Sequence, residues 1–287
     1  MVAVMGSVPP KISPGLYIVA TPIGNLGDLS DRARQTLAAA DVVACEDTRV
    51  TGKLLHLVGI KRPLVRHDDH SDDAARAALI ARMKSEAVVL VSDAGTPLVS
   101  DPGYRLVRDA RAAGVGVHGV PGPAAPILAL VLSGLPSDRF LFAGFLPAKA
   151  KARDEAIAEL ASVRATLILF ESGQRLERTL AALAQGLGPR EAAVARELTK
   201  LHEEVVTGDL AALAERYADA PPRGEVTLVI GPPIAVEAGE VDDAALDDAL
   251  RAALAEGSAA SAAKAVASAL GVPRARAYAR AVELARE

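Results

Sequence analysis

Three short stretches rich in Gly, Pro, Ser, Thr and Asp have residue types suited to holding a small polar ligand through the backbone. They are ATPIGNL at residues 20–26 (the first loop), SDAGTPLVSDPG at 92–103 (the second loop) and PGPAA at 121–125 (the third loop). Gly95 and Gly122 let the main chain approach a ligand closely, and the prolines fix the turns before binding. The Asp93 side chain can accept a hydrogen bond from an ammonium or hydroxyl group, and Thr96 can donate or accept one. The alternative is that these are three ordinary loops.

The segments that precede these loops are predicted to be strands. Apolar runs at residues 16–20, 42–46, 88–92 and 115–120 alternate with helical patterns, and Ser30 is placed to cap the first helix. Near-continuous apolar strands alternating with helices are typical of a mainly parallel sheet covered on both faces. Ligands bind beyond the carboxyl ends of the strands in such sheets. We therefore expect the three loops to form a pocket at one edge.

A second α/β set is predicted after the boundary stretch SGLPSD at residues 133–138. Ser172 is placed to cap the helix that follows the strand TLILFE, and EAAVAREL and HEEVVTG resemble a strand pair. The stretch PPIAVEAGEVDD reads as a linker, and two short helices fit after it, beginning near Ser258 and Pro273. The predicted organisation is a flexible N-terminus (1–13), two α/β domains (14–135 and 136–232), and a linker with a small helical, RNA-contacting region (233–287).

Composition limits the possible classes of protein. The chain has 287 residues and a net charge of −4, so any nucleic-acid surface must be local. Cys45 is the only cysteine, which excludes an internal disulfide and suits a reducing compartment. We see no secretion signal, and the longest apolar stretch is too short to span a bilayer, so we expect a cytoplasmic protein without a membrane partner.

Two sequence patterns resemble known binding sites but are better explained as parts of a strand and of a helix start. The stretch GVGVHG at residues 114–119 matches a dinucleotide-binding fingerprint, but a helix pattern precedes it and the glycines lie inside a predicted strand. The stretch HDDHSDD at residues 67–73 could hold a metal, but no second spaced ligand cluster accompanies it. Capping of a helix by Ser71 is favoured there, and Cys45 is interpreted as core rather than nucleophile. We expect no metal site.

The three loops belong to a longer ordered set of motifs. CEDTR, GLPSDRFLFAGFLP, ARELTKLHEE and RGEVTLVIG follow in the order seen in one subgroup of the tetrapyrrole methylase superfamily, which residues 14–232 resemble. The resemblance implies two α/β domains with a cleft between them that binds S-adenosylmethionine, and usually a homodimer. It also implies that the substrate is 16S rRNA or the small ribosomal subunit. The implied reaction methylates the ribose 2′-hydroxyl of a cytidine in the decoding region.

The resemblance also implies which residues hold the cofactor. Those from the three loops are Thr21, Pro22, Ile23, Gly24, Asp93, Ala94, Gly95, Thr96, Pro121, Gly122, Ala124 and Ala125. Those from the second half that cover the adenosine are Phe170, Leu198 and Val226. The subgroup's Tyr-Glu-Ser-x-His-Arg run is FESGQR here, so Gln174 stands where the subgroup has His.

Charged residues near the loops are the catalytic candidates. Methyl transfer needs in-line alignment of oxygen, carbon and sulfur, and a ribose hydroxyl reacts faster with a base or a nearby cation. The candidates are Glu46, Asp47 and Arg49 in CEDTR, and Glu197 and Lys200 in RELTK. A carboxylate could orient the hydroxyl while Arg49 holds a phosphate; alternatively, an Asp–Arg ion pair only fixes the loop. Lys200 is favoured for contact with an RNA phosphate, and no base is assigned.

Local basic patches are the candidate RNA contacts. Lys149, Lys151 and Arg153 lie in PAKAKAR, and the tail adds Lys264, Arg274, Arg276 and Arg280. The alternative is a solvated helix face. Because aromatic residues are only 3%, recognition of duplex shape and phosphates is expected rather than base stacking.

Two other functions remain open at this point. A tetrapyrrole C-methyltransferase would share the fold, but the basic tail and the RELTKLHEE run favour RNA. A non-catalytic RNA-binding ribosome assembly factor would not need the full set of cofactor loops.

Overall fold

The computed structural model describes residues 11–68, 73–219, 221–233, 242–255, 257–270 and 272–285. Its contacts divide the chain into two compact units, Met1–Pro233 and Ile234–Glu287. Residues 69–72 of HDDHSDD, with the predicted cap Ser71, lie outside the described residues, as do residues 1–10 and most of the predicted linker. The domain boundaries given above stay predictions.

The first half of the first unit is built on a five-stranded sheet that is parallel, as the sequence predicts, although its strand at Leu64–Arg66 was not predicted. Its strands are β1 (Gly15–Val19), β2 (Val42–Cys45), β3 (Leu64–Arg66), β4 (Ala87–Leu90) and β5 (Val117–Val120). The order across the sheet is β3-β2-β4-β1-β5, and every paired register is parallel. Strands β4, β1 and β5 are therefore neighbours, and these are the strands that lead into the second, first and third loops.

Helices cover both faces of this sheet. They are α1 (Asp31–Ala39), α2 (Thr48–Leu57), α3 (Asp73–Met83) and α4 (Tyr104–Ala112), whereas α5 (Ala125–Ser133) packs on the sheet of the second half. Ser30 caps α1 as predicted, since its hydroxyl accepts a hydrogen bond from the amide of Ala33 at 3.1 Å. One buried cluster around Leu37 and Val89 fills one face, and a second around Leu106 and Val88 fills the other. The central strands are therefore apolar on both sides.

The second half of the unit has a mixed five-stranded sheet. Its strands are β6 (Phe140–Phe145), β7 (Thr166–Ser172), β8 (Glu191–Arg196), β9 (Glu204–Asp209) and β10 (Glu225–Ile230), and its helices are α6 (Ala150–Ala161), α7 (Leu176–Leu187) and α8 (Leu210–Ala218). The order is β6-β7-β10-β8-β9, with only β6 and β7 parallel. The predicted strand pair is β8 and β9. Helices α6–α8 pack on one face, and the other face buries Leu130 of α5, which joins the two halves.

The start of α7 differs from the sequence prediction. Ser172 makes no capping hydrogen bond from its side chain; a 3₁₀ turn at Gly173–Arg175 follows it, and α7 begins at Leu176. The Ser172 hydroxyl instead donates to a carboxylate oxygen of Glu171 at 3.4 Å, and the 3₁₀ turn is anchored by a hydrogen bond from the amide of Gly173 to the carbonyl of Gly224 at 2.8 Å. The prediction that Ser172 caps this helix is therefore wrong.

The second unit contains one helix more than the sequence predicts. Helix α9 (Asp243–Leu254) precedes the expected α10 (Ala259–Leu270) and α11 (Arg274–Leu284). Leu246 and Leu250 of α9 pack against Ala263 and Ala281 in a shared core. The predicted linker ends where α9 begins, and two acids of α9, Asp243 and Asp247, pair with Arg276 and Arg280 of α11. No helix in the described part of the chain is long and apolar enough to cross a membrane.

Candidate active site

The three loops meet at one edge of the parallel sheet, as predicted from their positions at the carboxyl ends of the strands. The first and second loops form a two-way backbone bridge between Thr21 and Gly95, with N–O distances of 2.8 and 3.1 Å. The hydroxyl of Thr96 then donates to the carbonyl of Pro123 in the third loop at 2.9 Å. These bonds fix the three loops relative to each other without a ligand. Ligand binding therefore costs little conformational entropy of the loops.

Two glycines are required by this arrangement. Gly95 has φ of +79°, a left-handed conformation that glycine adopts without strain. A Cβ atom at Gly122 would lie 3.0 Å from the Cβ of Ala20, closer than ordinary van der Waals contact. The first and third loops therefore approach each other more closely than side chains at that position would allow.

A cavity of about 480 Å³ lies between these loops and the second sheet. Many of the predicted cofactor residues line it, together with the catalytic candidates Glu197 and Lys200. The predicted residues in its wall are Ile23, Asp93, Ala94, Gly95, Thr96, Ala124, Ala125, Phe170, Leu198 and Val226. The cavity thus brings together the edge of one sheet and the face of the other.

Five other predicted cofactor residues do not line the cavity. They are Thr21, Pro22, Gly24, Pro121 and Gly122, all in the described part of the chain and none in the cavity lining. Thr21 is buried, and its hydroxyl donates to the carbonyl of Ser92 at 3.3 Å. Thr21 therefore supports the contact between the first and second loops from inside the fold.

The CEDTR candidates also lie outside the lining of the cavity. Asp47 caps α2 and forms an ion pair with Arg49 at 2.6 Å, which lowers the pKa of Asp47 to about 2. Its amide donates to a carboxylate oxygen of Asp93 at 3.2 Å, which links this stretch to the second loop. The sequence left open whether these charges act on the substrate or form an Asp–Arg ion pair that fixes the loop, and the structure has the ion pair. Glu46 precedes this cap and, like Asp47 and Arg49, does not line the cavity.

The turn after β8 places Lys200 in the cavity wall. Lys200 forms an ion pair with Glu197 at 3.0 Å, and the side-chain amide of Asn25 donates to the carbonyl of Thr199 at 3.3 Å. A Cβ atom at Gly24 would lie 2.6 Å from Cγ of Lys200. The aliphatic part of the Lys200 side chain therefore packs directly on Gly24, where any larger side chain would displace it.

Several cavity residues were not singled out from the sequence. They are Val99, Ser100, Asp101, Pro126, Phe145, Ala195, Arg196, Gly224, Glu225 and Thr227. Ser100 and Asp101 belong to the second loop, and the position of this loop after a buried strand is the sequence feature that could have identified them. Arg196 is paired with Glu204 at 2.6 Å across β8 and β9. No local pattern marks Glu225 or Thr227 as functional, because only sheet pairing brings them here.

Backbone strain is concentrated around the cavity. Among the described residues, the non-glycine positions with positive φ are Leu98, Ser100, Glu197 and Thr199, with φ of 73°, 62°, 50° and 66°. All four lie in the second loop or in the turn that carries Lys200. Such conformations cost of order 1–3 kcal/mol each and concentrate at functional sites, where the surrounding structure holds them.

The predicted RNA contacts fall on two separate helical surfaces. Lys149 precedes α6, Lys151 lies 3.9 Å from Glu155, and Arg153 is paired with Asp154 at 3.3 Å. In the second unit, Arg276 pairs with Asp243 at 2.7 Å and Arg280 with Asp247. Arg274 is exposed at the start of α11. No group of three or more His, Cys, Asp or Glu side chains suited to a metal occurs within the described ranges.

Comparison with known proteins gives a consistent result. The sequence pattern of the Tetrapyrrole (Corrin/Porphyrin) Methylases matches residues 15–214. A protein of Erythrobacter litoralis named ribosomal RNA small subunit methyltransferase I is 57% identical over 273 residues, which cover 95% of this chain and 96% of that protein. The protein of the same name from Mesorhizobium japonicum is 50% identical over 276 residues, covering 95% and 93%.

The fold is also found among solved structures. A uroporphyrin-III C-methyltransferase from Thermus thermophilus, complexed with S-adenosylhomocysteine, aligns with a TM-score of 0.52. The alignment covers 77% of this chain and 99% of that one at 21% identity, so it supports the fold alone.

Proposed function

Because this chain belongs to the tetrapyrrole (corrin/porphyrin) methylase family, we propose that it is an S-adenosylmethionine-dependent methyltransferase whose substrate is the RNA of the small ribosomal subunit. The observation that carries the proposal is the likeness to two ribosomal RNA small subunit methyltransferases I, at 50% and 57% identity over 95% of the chain. Identity at this level extends through both sheets and the second unit.

The cavity fits the proposed cofactor in size and chemistry. Its volume of about 480 Å³ is in the range of small-molecule sites. The side chains of Phe170, Leu198 and Val226 supply an apolar wall that suits an adenine ring, and the loop backbone at Gly95 and Ala124 supplies polar groups on the opposite side. A side chain at Gly95 would meet Ile23 at 3.2 Å, so the glycine keeps this space open. These residues would hold the cofactor.

In the proposed reaction, residues of the chain align the substrates and supply charged groups. S-adenosylmethionine, when bound, supplies a methyl group already activated on a sulfonium. The fixed loops and the second sheet align the acceptor oxygen, and such positioning is worth roughly 7–11 kcal/mol of the barrier. Asp93 and Lys200 supply one negative and one positive group in the cavity wall, suited to an ammonium and to a phosphate respectively.

We propose the ribose 2′-hydroxyl of a cytidine in the decoding region as the acceptor. The exposed Lys149, which precedes α6, and the exposed Arg274 support phosphate contact. Four of the other predicted cations are already paired with acids: Lys151, Arg153, Arg276 and Arg280. RNA is favoured over a tetrapyrrole substrate because the relatives at 50% and 57% identity are named ribosomal RNA methyltransferases, and affinity is expected to fall steeply with salt.

We also propose that the enzyme acts as a homodimer in the cytoplasm. The support is an exposed apolar surface formed by Ile127 and Val131 of α5 and by Phe140 and Leu141 of the edge strand β6. Light scattering at micromolar concentration should give twice the mass of 29.5 kDa. A single-chain mass at that concentration would contradict the dimer.

The function is tested by incubating the protein with radiolabelled S-adenosylmethionine and small subunits that lack the modification. Label on the ribose of one cytidine in the decoding region is the expected result. Label on a base, or on protein alone, would contradict the assignment. Bare RNA assayed in parallel shows whether the assembled subunit is the substrate.

A further inference from the structure

The turn between β8 and β9 carries the most exposed large apolar side chain in the described part of the chain. This is Leu201, which is 92% exposed, and its neighbours Lys200 and His202 are exposed too. A single exposed leucine is common on protein surfaces and by itself indicates no function. Here, however, the backbone of the turn, its place beside the cavity and the chemistry of its neighbours all indicate a ligand.

The backbone of this turn is held in a fixed shape by hydrogen bonds at its base. The amide of Lys200 donates to the carbonyl of Glu197 at 3.0 Å, and the amide of Glu203 donates to the carbonyl of Lys200 at 3.2 Å. The carboxylate of Glu203 accepts a further hydrogen bond from the amide of Thr199 at 2.7 Å. Glu197 and Thr199 both have left-handed φ, which is unfavourable for side chains of this kind. The tip is therefore presented to solvent on a rigid and strained support.

The tip of the turn lies directly outside the cavity. Lys200 belongs to the cavity lining, whereas Leu201, the next residue, does not. The side-chain amide of Asn25 donates to the carbonyl of Thr199 at 3.3 Å and so connects the turn to the first loop. A polymer that places one of its units in the cavity therefore brings the adjacent units close to Leu201.

The chemistry of the tip fits RNA better than a protein partner. A stable protein interface needs an extended patch with an apolar centre, whereas both neighbours of Leu201 are polar. Nucleic-acid-binding proteins insert single apolar side chains, leucine among them, between base steps. The cation of Lys200 suits a phosphate, and the ring of His202 offers a surface on which an unpaired base can stack.

We propose that Leu201 enters the base stack of the RNA in place of the target nucleotide and so holds that nucleotide in the cavity. The inference rests on the proposed function. To reach a donor enclosed in the cavity, the target nucleotide has to leave the base stack. The inserted leucine fills the gap that remains, and the bases on either side cover its apolar surface from water. Leu201 is thus a positioning residue, and no covalent step involves it.

The first test compares Leu201→Ala with Leu57→Ala. Leu57 is 57% exposed at the end of α2, which runs from the carboxyl end of β2 to the opposite edge of the parallel sheet. For methylation of small subunits, kcat/KM should fall roughly 10–100-fold in L201A, as expected when a leucine is no longer buried on binding, and should be unchanged in L57A. Leu201→Met keeps a long apolar side chain and should retain most of the rate. Binding of S-adenosylhomocysteine by L201A, measured by calorimetry, should be unchanged and shows that the variant is folded.

A cross-link locates the leucine on the substrate directly. Cys45 is the only cysteine of the chain and is buried, so Leu201→Cys adds an accessible thiol at a known place. A photoactivatable reagent on that thiol should cross-link to nucleotides adjacent to the methylated cytidine, whereas the same reagent on Leu57→Cys should not.

Three results would overturn the inference. They are cross-links mainly to a second copy of the chain, cross-links to RNA distant from the methylated nucleotide, and a kcat/KM of L201A within about twofold of wild type. If wild type itself modifies no small-subunit RNA, the proposed function fails, and the inference fails with it.

Discussion

Removal of the buried carboxylate of Glu171 should destabilise the second sheet and the turn after β6. This side chain is 1% exposed and accepts hydrogen bonds from the Ser172 amide at 2.8 Å and the Thr179 hydroxyl at 2.7 Å. It also pairs with Arg175 at 3.3 Å, and the guanidinium donates to the carbonyl of Leu146 at 2.9 Å. One carboxylate therefore connects β7, α7 and the segment that leads to Lys149.

The structure sets the size of the expected loss for Glu171→Ala. Breaking a buried ion pair by removing one partner costs 3–5 kcal/mol, and Arg175 retains 20% exposure, so about 3 kcal/mol is expected. For a unit of this size, that corresponds to a melting temperature lower by about 6–12 °C. Glu171→Gln keeps one acceptor oxygen and should lose only about 1–2 kcal/mol.

The assay is urea unfolding of the full chain, with thermal melts as a second measure. The control is Glu177→Ala, at an exposed position in the first turn of α7, where loss of the favourable helix-dipole contact costs about 0.3–1 kcal/mol. If E171A were no less stable than E177A, the reasoning on this network would be refuted.

Three further changes test other contacts. Gly24→Ala should alter stability by less than about 1 kcal/mol, because the lysine stem above it can move, yet slow methyl transfer by displacing that lysine from the cavity wall; equal rates would contradict this. Gly173→Ala would overlap a backbone carbonyl oxygen and should cost about 3 kcal/mol or more in urea unfolding, whereas Gly119→Ala, with open space around it, should cost little. Arg280 lowers the pKa of Asp247, so this pair stabilises the second unit fully above pH about 3.9 and less as pH falls below it. Asp247→Asn should remove that pH dependence, seen as hydrogen exchange in α9–α11; an unchanged dependence would exclude the pair as its cause.

Local sequence patterns predict much of the fold because the relevant forces are local. The parallel sheet follows from apolar strands alternating with helices, and the cap at Ser30 needs only the next three residues. The sharing of one edge by the three loops follows from parallel strands. The prediction that Ser172 caps α7 is wrong because a 3₁₀ turn, anchored by the hydrogen bond from Gly173 to the distant Gly224, separates Ser172 from that helix.

The features that the sequence did not predict also depend on contacts between residues distant in the chain. Helix α9 was not predicted; its carboxylates pair with arginines such as Arg280, which lies 33 residues beyond Asp247, so no local pattern indicates these contacts. Glu225 enters the cavity wall only through the pairing of β10 with β7 and β8. The left-handed backbone at Leu98 and Ser100 is imposed by tertiary contacts, and no glycine in the sequence marks it. The position of Asp101 could therefore not be derived from the second loop alone.

The central claim is that the three loops and the facing sheet enclose the methyl donor. A crystal structure of the chain with S-adenosylmethionine tests it most directly. We expect the ligand between the backbone of Gly95 and Ala124 on one side and Phe170 and Val226 on the other. A ligand bound elsewhere, or a cavity closed by its own side chains in the presence of saturating donor, would contradict the account.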